Sequence, residues 1–177
     1  MSDPAPSSRV EENKALLRQY LERFWNQGDF EAGNQFLAED VMLHGLEADV
    51  PVALPPGRAG VIEMRRIFAR AMPDFTMTID DMIAEDDKVL VRWTGAGTHT
   101  GDFLGIPATH RRASWTAMSI SRIENGVMVE GWQNMDNMGL MQGLGVLPSG
   151  SPPAPMRWFL AARGRLQARK NRRGQSA

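Results

Sequence analysis

"RRASWTAMSISRIENGVMVEGWQNMD", residues 111–136, is two runs of strand-forming residues on either side of the turn signal "RIENG". Successive side chains on a strand point to opposite faces. In the second run Glu130, Trp132, Asn134 and Asp136 therefore share one face, and Gly131, Gln133 and Met135 share the other. Two carboxylates, an indole and an amide do not make an ordinary core stripe; they suit a lined pocket. Upstream, "FTMTIDDMIA" (75–84) alternates, with Phe75, Met77, Ile79, Asp81 and Ile83 on one side. "KVLVRWTGAGTHTG" (88–101) follows after the "EDD" turn. Strands at this spacing read as an antiparallel meander.

The N-terminal half reads as helices. Ser8-x-x-Glu11 has the pattern of a capping box, in which a hydroxyl and a carboxylate satisfy free N–H groups at a helix start. Leu17, Leu21 and Phe24 recur at helical spacing and Gly28 offers a stop. "DFEAGNQFLAED" (29–40) predicts a shorter helix capped by Asp29, followed by a short strand at "VMLHG". Beyond the loop "PVALPPG", a third helix runs through "AGVIEMRRIFARAM" and ends at Pro73. Helices followed by strands indicate an α+β fold, three N-terminal helices packed in a curved antiparallel sheet.

Composition narrows the function. A chain of 177 residues with 42% hydrophobic and 23% charged residues is expected to be one globular domain with a sizeable core. The absence of cysteine excludes disulfides, thiolate nucleophiles and cysteine-ligated metals. "MSDPAPSSRVEENK" lacks the features of a signal peptide, and no stretch approaches the roughly 20 apolar residues of a membrane span. A cytoplasmic location is the expectation. Residues 147–177 hold seven basic residues and no acid, leaving 13 basic against 21 acidic residues elsewhere, a body of net charge −8. The Pro/Ser-rich "PSGSPPAP" (148–155) separates the two. Residues 1–148 are read as the domain and 149–177 as a hinge and basic tail. The tail composition would suit a membrane surface or nucleic acid, but it carries no base-reading motif, and a solvated tail is the expectation.

Together, "GTHTGDFLGIPATHRR", "RIENGVMVEGWQNMD" and "MQGLGVLP" resemble the SnoaL-like polyketide (ester) cyclases of the cone-shaped nuclear-transport-factor-2-like superfold, over about residues 12–148. The resemblance implies an intramolecular aldol ring closure by acid–base chemistry on a hydrophobic carbonyl compound, with no metal or other cofactor, in a homodimer. It places the acid/base at Asp136 and pocket histidines at His44 and His99. Where the family commonly has a histidine between Glu and Trp, this chain has Gly131, and after "GIP-T" it has His110-Arg111-Arg112. The same superfold hosts dehydratases, isomerases and non-catalytic binding modules. Its steroid isomerases place their base on the strand that here carries His44-Gly45, and the single tyrosine, Tyr20, lies on the first helix.

Each residue also has a plainer reading. Asp136 precedes "NMGLMQG" and could simply cap a short helix; as a base it would abstract the proton beside a carbonyl. His99, on the face of Val91 and Trp93, is either a satisfied core histidine or the donor to an enolate oxygen. His44 has the same two readings, and His110 reads as a surface residue. Trp93, Trp115 and Trp132 are core aromatics or the flat wall of a ring-binding pocket. Glu130 reads as a carboxylate paired with His99 or an arginine. Three scattered histidines without close spacing give no metal motif.

Overall fold

The computed structural model describes residues 6–45 and 54–149; the hinge beyond Ser149 and the basic tail lie outside the described residues. Helix α1 (Pro6–Tyr20) runs on into a π-helical turn, Leu21–Asn26. Leu17, Tyr20, Leu21 and Phe24 form its buried stripe, and Gly28, at φ +71°, ends it as expected. The capping box does not form. The helix already includes Ser8, whose hydroxyl donates to Glu12 (2.7 Å), while Glu11 pairs with Lys14. At the other end Asn26 docks the turn on the sheet: its side chain accepts from the Met77 N–H (2.7 Å) and donates to the Met77 carbonyl (3.0 Å).

Helix α2 (Ala32–Phe36) is shorter than expected, because the chain is already extended from Leu37 in strand β1 (Leu37–His44). Asp29 does accept from the Ala32 N–H, at 3.2 Å. Helix α3 (Gly57–Ala71) buries Val61, Met64, Ile67, Phe68 and Ala71 at a helical period. Strands β2 (Thr76–Glu85), β3 (Lys88–Thr98), β4 (Arg112–Glu124) and β5 (Val127–Met135) form the meander, and α4 (Asn137–Gly143) closes the described fold. At the tip between β4 and β5, Asn125 and Gly126 both have positive φ, the geometry of a tight hairpin turn.

The sheet order is β1-β5-β4-β3-β2, antiparallel throughout the meander. The edge is different: β1 pairs parallel with β5, aligning His44 with Trp132 and Met42 with Glu130. Register shifts interrupt β2 between Ile79 and Asp81 and the β4–β5 ladder between Arg122 and Ile123, and such bulges bend and twist a strand. The bulge at Asp80 corrects the alternation expected for β2. Met77 points to the core, but beyond the bulge the faces exchange, so Asp81 and Ile83 are exposed and Met82 and Ala84 turn inward.

The inner face of β3 carries Val89, Val91, Trp93, Gly95 and Gly97, continued by His99 just beyond the strand; that of β4 carries Ala113, Trp115, Ala117, Ser119, Ser121 and Ile123. Gly95 has a packing reason. A Cβ there would lie 2.9 Å from the Trp115 ring, so the missing side chain lets the indole lie across the strand. Trp115 stacks on Phe75 (5.8 Å) and Phe68 (6.3 Å), locking α3 to the concave face. The result is an α+β cone, helices packed in the hollow of a curved, unclosed sheet.

Candidate active site

Between the helices and the concave face lie two adjoining chambers. The larger has a volume of about 280 Å³ and the smaller about 70 Å³. Trp25, Met64, Trp93 and Gln133 line both and therefore stand at their junction. Phe68 and Phe75 wall the larger chamber, Phe103 and Leu104 cover it from the β3–β4 loop, and Asn137, Leu140 and Met141 close it from α4. Its polar side chains are Gln133 and Asn137. The smaller chamber adds Tyr20, Ser119 and Ser121, with His44, Ile120 and Trp132 at its border. Tyr20 is buried, which raises its pKa, and its hydroxyl accepts from Trp25 Nε1. Among the described residues, no Asp, Glu, Lys or Arg lines either chamber.

The face expected to line the pocket is mostly the outer one, although Trp132 and His44 also reach the border of the smaller chamber. Glu130, Trp132 and Asn134 do share a side, as the alternation requires, but they pair across the sheet with Arg122, Ile120 and Met118, which are on the convex surface. His44 is on this surface too. Its Nε2 is 2.9 Å from Glu130 Oε1, and its ring stacks on Trp132 at 5.3 Å. Arg122 Nε donates to the other Glu130 oxygen at 3.0 Å and Arg122 also pairs with Glu124. The His44 and Arg122 bonds lower the Glu130 pKa. Glu130 is thus tied to an arginine and to His44, and has no contact with His99.

Asp136 stands one residue beyond β5. It is the N-cap of α4, its carboxylate accepting from the Gly139 N–H at 2.8 Å, and it is exposed. His99 is fully buried on the inner face. Its Nδ1 accepts from the Thr109 N–H (3.2 Å), which leaves the proton of the neutral ring on Nε2, and Nε2 has no partner. Burial lowers its pKa, opposed by the Asp102 charge and assisted by His110. The ring packs edge-on against Phe103, so it lies one layer behind the chamber wall. Trp115 is likewise behind the wall, covered by Phe68 and Phe75, with its Nε1 unpartnered. Trp93 does line both chambers. His110 is exposed.

From β5, Gln133 and Met135 meet the larger chamber, and Met128, Gly131, Trp132 and Gln133 meet the smaller one. Gln133 is held closely: Gly45, at φ +93°, comes so near that a Cβ there would collide with the Gln133 carbonyl. The signal that could have found this face is the cross-strand partner. Arg122 sits opposite Glu130, and an Arg–Glu pair belongs on the wet face, but the pairing depends on the register shift between Arg122 and Ile123; an unshifted hairpin would set Glu130 against Ser121. Among the described residues no three His, Asp or Glu side chains converge as a metal-ligand set, and no helix is long and apolar enough to cross a membrane.

An α+β cone around an apolar chamber with a few polar groups is the architecture of a small-molecule site. The family model for the SnoaL-like polyketide cyclases matches residues 15–144, and the chain belongs to that family. Among solved structures, TsrD from Streptomyces laurentii is 31% identical, with 77% of this chain and 97% of that one covered and a TM-score of 0.68. IdmH from Streptomyces antibioticus, a candidate polyketide cyclase, is 30% identical over 75% of this chain and 98% of that one, with a TM-score of 0.63. AclR from Streptomyces galilaeus, a candidate hydroxylase, is 25% identical over 91% and 98%, with a TM-score of 0.68. No protein of curated function gives a significant match.

Proposed function

We propose that this chain is an acid–base enzyme acting on a hydrophobic carbonyl compound of polyketide type, with intramolecular aldol ring closure as its reaction and no bound cofactor. The observation that carries the reading is the larger chamber, about 280 Å³ with aromatic and methionine walls, in a chain of the polyketide cyclase family. Ring closure needs a base for the C–H beside a carbonyl, a donor for the enolate oxygen, and walls that fold the substrate on itself. Asp136 is the proposed base. It adjoins Asn137, which lines the chamber, and would turn inward by releasing the Gly139 N–H. His99 Nε2–H is the proposed enolate donor, reaching the chamber when Phe103 moves aside.

A non-catalytic binding module is the second reading, favoured by one observation: no carboxylate lines either chamber among the described residues, and Asp136 is engaged as a helix cap. Deuterium uptake at the carbon beside the carbonyl of 1-tetralone separates the two. The enzyme reading expects faster exchange with the wild-type protein and loss of that acceleration in Asp136→Asn. Acceleration kept in the variant removes Asp136 as the base. Binding of 1-tetralone with no acceleration supports the module.

The homodimer belongs to the same proposal. Met42, Met118 and Ile120 are exposed on the convex sheet beside Trp132, an apolar surface that a second copy would cover. Sedimentation equilibrium should show a dimer, reduced to monomer by Met118→Asp; a monomeric wild-type protein would remove this part of the reading.

A further inference from the structure

Gln133 is held by a hydrogen-bond chain that fixes which end of its amide faces the chambers. Trp93 Nε1, a donor only, points at Ser119 Oγ from 3.0 Å. Ser119 sits directly across the β4–β5 ladder from Gln133, and its hydroxyl donates to Gln133 Oε1 at 3.3 Å. The direction follows from the first donor. With a Ser119 lone pair taken by the indole, the hydroxyl proton needs an acceptor, and Gln133 Oε1 is the one it has. Reversing the amide would remove the one acceptor that the structure gives this proton beside Trp93 and Val91, and a lost hydrogen bond in a partly buried place is unfavourable. The Gln133 NH₂ group has no hydrogen-bond partner among the described residues, and Gln133 lines both chambers where they meet.

We propose that Gln133 is the specificity-determining donor of the site: its amide NH₂, oriented through Ser119 by Trp93, binds a ketone or enolate oxygen of a hydrophobic ligand at the junction of the two chambers. This deepens the proposed function, and rests on its reading of the chambers as a small-molecule site. An amide suits the task, because it donates to a carbonyl oxygen and to the enolate that replaces it, with no charge to desolvate. Trp25, Met64 and Trp93 around it supply the apolar surface for the rest of the ligand. Ser119 is a positioning residue in this scheme.

The test uses 1-tetralone and tetralin, which share a skeleton and differ in one carbonyl, with affinities read by tryptophan fluorescence on the full chain. Wild-type protein should bind the ketone about tenfold more tightly, as one added hydrogen bond provides. Gln133→Leu should bring the ratio to about one and leave tetralin affinity in place, which also shows that the variant is folded. Ser119→Ala, with the amide free to turn, should give an intermediate ratio. In wild-type protein the ¹⁵N side-chain resonances of Gln133 should move with the ketone and not with the hydrocarbon. Equal binding of the two compounds, or a preference that survives Gln133→Leu, overturns the assignment while leaving the chambers as a site. Failure of both compounds to bind overturns the small-molecule reading and this assignment with it.

Discussion

Asp136 has two readings, the helix cap that the structure shows and the base proposed above. Its carboxylate caps α4, and asparagine is an equally good cap, so Asp136→Asn should leave the thermal midpoint near wild type. Asp136→Ala should cost about 1 kcal/mol in a denaturant titration; an unchanged midpoint would mean that the cap contributes nothing to stability. His99 makes a prediction about pH. Burial holds its folded-state pKa below the ordinary 6.5, so between the two values the unfolded chain binds the extra proton. Its contribution to stability is complete above about pH 6.5 and is lost as pH falls towards the folded-state value. The fall in unfolding free energy between about pH 7.5 and 5.5 should be smaller in His99→Gln than in wild type; equal slopes would refute the assignment. At this scale the grouping of residues along each strand was legible and the face each group takes was not. A strand's alternation groups side chains without saying which group is wet, and the carboxylates that suggested a pocket on β5 are the reason that face is outside. Gln133 carries no signal in the sequence, because a lone glutamine has no distinctive chemistry until Ser119 and Trp93 are placed beside it.

Helices and strands were legible where the burial period was uninterrupted. Leu17, Leu21 and Phe24 placed α1, the Val61–Ala71 stripe places α3, and alternation over β3 and β4 gives the central ladder. What escaped was set by contacts distant in sequence. The bulge at Asp80 appears when β2 is laid against Trp93 and Arg92 of β3, and the parallel seat of β1 on β5 joins segments that are far apart in the chain. The capping-box pattern at Ser8 failed because the helix starts earlier than the pattern assumes. The curved sheet depends on small residues under large ones, which gives a test at Gly95. A methyl group there would meet the Trp115 ring at 2.9 Å, and Trp115 cannot yield because Phe68 and Phe75 cover it. Gly95→Ala should destabilise by about 1–3 kcal/mol, as overpacking does, read from the denaturant midpoint. A neutral result would show that the aromatic stack has room to shift.

For the whole molecule, the question is where the folding unit stops. The core runs from Leu17 to Leu144, and α4 is its last described element: Leu140 and Leu144 are buried to 1% exposure or less. Behind them Gly143 packs on Ala113, and the chain then turns back as the Val146 and Leu147 N–H groups bond to the Met141 carbonyl. The family match ends at residue 144, and the residues that line the two chambers among those described all precede it. Residues 147–177 contribute seven basic charges, and the rest of the chain, at −8, is far from neutral without them. Removing residues 150–177 therefore tests whether the tail belongs to the fold or is an appendage to an acidic domain. The truncated chain should melt within about 2 °C of the full one, as expected when no core contact is lost. Its affinity for 1-tetralone should be unchanged, and it should bind an anion exchanger more strongly. A larger fall in the midpoint together with weaker 1-tetralone binding would show that part of 150–177 docks against the cone and helps to close it.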